Sequence, residues 1–328
     1  MKKLLFMLLL SFICAISAIG LTACDELNQA KDLINEYVND NDKNDENDDN
    51  ANNNNSQVNS QPTSDEYFDF TLLDNDTYEI KVKDVNNMPA KVVIPSTYNG
   101  KAVTSIGESA FNDYIGFNNN RENIRSVEDM YPYICENIIE ITIPDSVTSI
   151  GYGAFGMCIN LTKITIPDSV TSIGGFAFEM CQSLTSITIG NSVTSIGNFA
   201  FVDCSSLTSI NIPTNVTILE SGVFSDCSSL TSVTIPNHVT SIGNSAFRNC
   251  SSLTSITIPV DVTSIGYGVF YNCSSLTEIR FNGTKTQWNN IEKDDEWHYN
   301  VPATQIVCSD EPVELTTNND ADYTRWVK

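Results

Sequence analysis

A period of 23 residues constrains this chain more than any other feature. Cys135, Cys158, Cys181, Cys204, Cys227, Cys250 and Cys273 are each 23 apart, and Phe155, Phe178, Phe201, Phe224, Phe247 and Phe270 keep the same step. A fixed period of this size marks stacked supersecondary units. One unit cannot bury its apolar face alone, so neighbouring units must share walls.

Each unit can be read from Ser252 to Ser274. Leu253, Ile256 and Ile258 fit LxxIxI, which turns both isoleucines to one side of a strand and Thr257 to the other. Pro259 lacks an N–H donor and ends the strand. Val262 and Ile265 repeat the apolar spacing in a second short extended piece, and Gly266 suits a turn needing positive φ. Val269, Phe270 and Cys273 fall on one side of a helical turn. The expected fold is a solenoid, β-rich α/β, of stacked coils with short parallel strands about 4.8 Å apart. Seven cysteines at one position of stacked coils form a line, not a cluster converging on a metal. An odd, uniform ladder reads as small buried hydrophobes with free thiols.

The repeated LxxIxIP followed by VTSIGxxAFxxC resembles the BspA-like, or treponemal-type, bacterial leucine-rich repeats over about residues 91–281, with one interruption. The resemblance implies a right-handed leucine-rich repeat solenoid, display on a bacterial surface, and binding to proteins of a host matrix or of neighbouring cells.

Ahead of the repeats, Lys2 and Lys3 precede an apolar run from Leu4 to Leu21, which is the pattern of a targeting segment. It ends in Leu21-Thr22-Ala23-Cys24 and resembles a bacterial lipobox. That resemblance implies a signal peptide of residues 1–23 and a lipidated Cys24 anchoring the chain to a membrane of the envelope. Residues 24–64 read as a disordered Asp/Asn-rich tether, because DNDKNDENDDNANNNN from Asp40 has almost nothing to bury and repels itself. Asp40, Asp42 and Asn44 imitate half a calcium loop, but Asp45 stands where the turn glycine belongs and Ala51 where the bidentate glutamate belongs. The formal net charge of −24 argues against nucleic acid, which selects basic patches.

The solenoid domain is assigned to residues 65–281. Phe68 to Leu73 and Tyr78 to Val82 flank Asp74-Asn75-Asp76 as a hairpin that caps a degenerate first coil. Phe111 to Phe155 is 44 residues, so 21 extra residues interrupt the array, at about 112–134. This insertion carries Tyr114, Phe117, Arg121, Arg125, Tyr131 and Tyr133. Tyr and Arg are enriched at interface hot spots, which makes these six the candidate partner-binding residues. A loop that merely packs its aromatics on the flank is the competing reading. The regular coils expose Glu140 and Thr142, Lys163 and Thr165, Ser186 and Thr188, Ser209 and Asn211, Ser232 and Thr234, and Ser255 and Thr257. That carpet is open to a protein or glycan partner, or is simply a soluble sheet face. One coil departs from the rule: Val216-Thr217-Ile218-Leu219-Glu220 replaces VTSIG, and an altered turn or kink is expected there.

Residues 282–312, with Trp288 and Trp297, read as a C-terminal cap, and 313–328 as a loose polar tail. His238 and His298 are the two histidines of the chain, and no Ser/His/Asp or Cys/His set and no phosphate loop can be assembled. No catalysis, cofactor or metal is expected. The function expected is that of a surface lipoprotein binding another macromolecule, foremost a protein. The rival readings are a glycan-binding module of a nutrient-capture system, using the Ser/Thr face and the cap tryptophans, and a passive surface component.

Overall fold

The computed structural model describes residues 61–112, 135–294 and 296–315. The coils belong to one compact unit, Pro62–Asn120 with Pro132–Ala321. In it, β1 (Phe68–Leu72) and β2 (Tyr78–Val82) form the antiparallel hairpin expected from Asp74-Asn75-Asp76. β3 (Lys91–Val93), β4 (Thr97–Tyr98) and β5 (Lys101–Ile106) make the first coil, and β2 closes its edge by pairing parallel to β5. Each regular coil then supplies a longer strand and a two-residue strand. In order these are β6 (Glu140–Thr142) and β7 (Ser149–Ile150), β8 (Lys163–Ile166) and β9 (Ser172–Ile173), and β10 (Ser186–Ile189) and β11 (Ser195–Ile196). There follow β12 (Ser209–Asn211) and β13 (Ile218–Leu219), β14 (Ser232–Thr234) and β15 (Ser241–Ile242), and β16 (Ser255–Ile258) and β17 (Ser264–Ile265). The cap contains β18 (Glu278–Phe281), α1 (Lys285–Asn289), β19 (Glu292–Lys293), β20 (Gln305–Val307) and β21 (Val313–Glu314).

The solenoid expected from the period is what forms. Strands of one kind pair in parallel with partners 23 residues away, as Ile187 does with Ile164 and Ile173 with Ile196. Across the interruption Ser105 pairs with Ser149, and the Phe111 ring lies 5.0 Å from that of Phe155, so the first coil joins the stack in register. The six regular phenylalanines are fully buried and stack at 5.2–5.7 Å. Each such ring pair adds about 0.5–1.5 kcal/mol beyond its burial. Beside them every ladder cysteine is buried and free. From Cys181 to Cys273 each thiol donates to the carbonyl of a phenylalanine in the coil before, as Cys227 Sγ does to Phe201 O at 3.2 Å. Threonine hydroxyls knit the coils the same way: Thr171, Thr194, Thr240 and Thr263 each donate to the carbonyl 23 residues earlier.

Two local expectations are corrected. The corner glycines do not have positive φ; the left-handed residues are two positions later and just before the cysteine, such as Gly268 (φ 60) and Asn272 (φ 58). The corner needs glycine because coils touch there: a Cβ on Gly174 would stand 2.6 Å from the Gly151 carbonyl carbon. Two left-handed residues per coil also prevent a helix. The apolar residues after the corner sit on consecutive tight turns instead, closed by bonds such as Cys273 N–H to Phe270 O at 3.1 Å. Val269, Phe270 and Cys273 nevertheless all face the core, as the spacing predicts.

The altered corner at Glu220 leaves a mark. The wall built from β5, β7, β9 and β11 stops at β11, and a separate sheet begins at β13. The N–H groups of Thr194 and Gly197 bond back to the preceding coil, as do those of Thr240 and Gly243; Thr217 and Glu220 make no such bond. A Cβ in place of the corner glycine pushes the two coils apart. The opposite wall carries through this level but thins, with β10 and β12 joined at Ser186 and Ser209 alone.

At the far end Trp297 packs edge-on against Phe270 and Trp288 against Phe281. α1 is held by a capping box of Thr284 with Gln287. β20 extends the sheet parallel to β18, and β21 returns antiparallel beside it, so ordered structure runs past the expected start of the tail at Val313. Val313 and Leu315 pack on the core. No helix among the described residues is long and apolar enough to cross a membrane.

Candidate interaction surfaces

Two surfaces carry side chains that the core does not claim. The first is the outward face of the sheet β3, β6, β8, β10, β12 and β14. Because strand residues alternate, Ile141, Ile164, Ile187 and Ile210 point inward, and Glu140, Lys163, Ser186 and Ser209 line up outside. Beside that column stand Thr142, Thr165, Thr188, Asn211 and Thr234, all exposed. Lys91 and Glu140 pair at 2.9 Å at its first end, and Lys163 follows in register. From Ser186 onward the face presents only hydroxyls and one amide. It offers hydrogen-bond donors and acceptors on a flat support, with little charge to select a partner.

The second surface is the turn edge between corner and cysteine. Here the repeat departs from itself, and the column reading of the core gave no hint of it. At the first left-handed position most coils carry Gly or Ser, but two carry Phe176 (φ 56) and Phe199 (φ 57). Tyr152, 38% exposed, leads a ring ladder through Phe176 to Phe199 with centroids 5.3 and 5.0 Å apart. One turn further on stand three carboxylates in successive coils: Glu179, Asp203 and Asp226. Gln182 Nε2 donates to Asp203 Oδ2 at 2.8 Å. Asp226 accepts from Ser225 Oγ at 2.6 Å and from Asn249 Nδ2 at 2.7 Å. Burial, then the Asp203 charge, pushes the Glu179 carboxyl up to about 7. Burial likewise pushes Asp203 up to about 7, with Asp226 adding to the shift and the Gln182 bond opposing it. Aligning the repeats column by column would have found both groups: the position two after each corner reads Gly153, Phe176, Phe199, Gly222, Ser245, Gly268, the position before each cysteine reads Met157, Met180, Asp203, Asp226, Asn249, Asn272, and Glu179 stands one place earlier in its own coil.

The remaining sequence candidates divide clearly. Cys24, Tyr114, Phe117, Arg121, Arg125, Tyr131 and Tyr133 lie outside the described residues. Trp288 and Trp297 are 2% and 5% exposed, so neither offers a ring face to a sugar. That removes the tryptophans from the glycan reading; they are core of the cap. His238 is exposed on a turn, with Nδ1 3.5 Å from Asp261 Oδ2, and His298 is buried in the cap. Among the described residues no group of three His, Cys, Asp or Glu could hold a metal ion. Burial pushes the thiols of Cys158, Cys181, Cys204, Cys227, Cys250 and Cys273 up, to about 12 for Cys273, which suits packing and not nucleophilic chemistry.

Comparison with known proteins agrees with the coil geometry. No curated protein matches the chain. Among solved structures, a leucine-rich repeat protein of T. pallidum is 26% identical, with 67% of this chain and 81% of that one covered and a TM-score of 0.47. A leucine-rich repeat protein of Bacteroides ovatus is 25% identical, with 74% and 70% covered and a TM-score of 0.47. The decisive match is to the repeat itself. The BspA type leucine rich repeat region is found in six copies over residues 90–205, 125–253 and 219–293, which together span more than half of the chain; the chain belongs to the BspA-type leucine-rich repeat family.

Proposed function

We propose that this chain is a surface-displayed lipoprotein, anchored through Cys24, whose solenoid binds a protein of a host matrix or of a neighbouring cell without catalysing a reaction. The family is generally protein-binding. The observation that carries the reading is the outward sheet face, a six-strand array of in-register and mostly polar side chains. Side chains on paired strands are held more tightly than on loops, so such a wall can present many weak contacts at once. A repeating face gives area with little discrimination. Specificity is assigned to the insertion at 112–134, whose Tyr114, Phe117, Arg121, Arg125, Tyr131 and Tyr133 are the types that dominate hot spots. Its first residue, Asn112, and the ladder cysteine that follows it, Cys135, both abut the coil that opens the regular array: Asn112 Nδ2 donates to Gly153 O and Gly156 O, and Cys135 N–H to Met157 O.

The test is parallel probing of protein and glycan arrays with the full chain. Protein ligands are expected. Binding to glycans alone would sink the proposal and revive the nutrient-capture reading, and silence on both arrays would favour a passive surface component. With a protein ligand in hand, Tyr131→Ala and Arg125→Ala are expected to weaken binding about thirtyfold, and Thr188→Ala only slightly.

A further inference from the structure

Three features converge between the coil of β10 and β11 and the coil of β12 and β13. The wall sheet is interrupted there, with β11 and β13 in different sheets and Glu220 at the corner. The opposite wall is reduced to one residue pair, Ser186 with Ser209, where the levels on either side have four and three; two levels on, β14 and β16 lie in separate sheets. The turn edge, by contrast, keeps a full set of backbone bonds across the boundary. There Phe199, Phe201 and Asp203 donate their N–H groups to Ser221, Val223 and Ser225 at 2.9, 3.0 and 2.9 Å. That same edge brings Asp203 and Asp226 together across the boundary, with Glu179 one coil behind. We propose that this boundary is a hinge whose stiffness is set by the protons of Glu179 and Asp203: closed when they are neutral, loosened when both are charged.

Asp203 faces Glu179 from the coil before, Asp226 from the coil after, the Gln182 amide, and the Cys204 and Cys227 thiols from the core side. Asp226 is occupied by Ser225 and Asn249. The regular coils contain two cations. Lys163 stands on the outward sheet face, and Arg248 places its guanidinium 5.0 Å from the Tyr271 ring centre. The carboxyls titrate near 7 in the closed edge, and near 4 once exposed to water. A carboxyl whose closed-state value is raised favours the closed state at low pH. That preference fades as pH rises from about 4 and is gone above about 7. Neutral pH thus lies at the loosening point. Loosening would divide the outward sheet face between β10 and β12.

Hydrogen exchange of the full chain near pH 5.5 and near pH 8, corrected for intrinsic rates, tests this. Protection of the Phe199, Phe201, Asp203 and Ser221 amides, which donate across the boundary, is expected to fall by about tenfold or more at the higher pH. Protection of Ser241–Ile242 and Ser264–Ile265 should stay level. In Asp203→Asn and in Glu179→Gln the fall should shrink, and in Glu220→Gly, which lets the wall pair, it should disappear with both acids intact. An equal fall at all coils, or a fall unchanged in these variants, overturns the hinge.

Discussion

At the scale of single residues the fold depends on small differences that the repeat makes visible. The corner glycine is the clearest. The sequence shows that glycine is required but not why, since a positive φ and a close approach both select it. Only the neighbouring coil decides, and it stands too near for a Cβ. Gly174→Ala is therefore expected to lower stability by about 1–3 kcal/mol, the range for overpacking. A denaturant midpoint equal to that of the parent would show that the coils can part there without cost. The cysteines give a second prediction. Burial raises Cys181, Cys204, Cys227 and Cys250 far from thiolate formation. Alkylation of the ladder thiols near neutral pH should thus proceed only as fast as the chain unfolds, with half-buried Cys308 reacting first among the described cysteines. Rapid native labelling at Cys204 or Cys227, or their recovery as a disulfide from anaerobic preparations, would contradict this packing.

At the scale of elements, what the sequence disclosed and what it concealed follow one rule. Walls and core columns were legible because every coil repeats them: Ile256, Phe270 and Cys273 announce themselves through their siblings. The hairpin was legible because Asp74-Asn75-Asp76 interrupts two alternating runs. Trp288 and Trp297 could be placed in the cap because the last coil must be covered by something large. The helical turn was misjudged because a spacing of three and four fits consecutive tight turns as well as a helix, and left-handed φ is not written in Phe176 or Met180. The turn-edge carboxylates went unnoticed because they differ from coil to coil, and a search for the period passes over what does not recur. The cap yields its own prediction. Trp297→Ala removes the ring that covers Phe270 and is expected to cost about 3–5 kcal/mol. Stability is transmitted through nearest neighbours in such arrays, so exchange should quicken first at Ser264–Ile265 and Glu278–Phe281 and least at Lys163–Ile166. Uniform loss of protection along all coils would instead mean that the array opens as one cooperative block.

At the scale of the whole molecule, charge links stability to the surroundings. A net charge of −24 repels itself at neutral pH, and Glu179 and Asp203 add two carboxyls that hold their protons more tightly folded than unfolded. Both effects act in one direction, but the net-charge effect is largely complete by about pH 5.5, where ordinary carboxylates are ionised, whereas the share of Glu179 and Asp203 is lost as pH rises from about 4 through about 7. The unfolding midpoint near pH 5.5 should exceed that near pH 8 by about 5 °C or more, and Asp203→Asn should narrow the gap. Salt separates the two contributions, because it screens long-range repulsion among exposed charges far more than contact between half-buried carboxyls. In about 1 M salt the part owed to net charge should vanish and the part owed to Glu179 and Asp203 should persist. A midpoint that no longer depends on pH in high salt would assign the whole effect to net charge and leave the turn edge without a share.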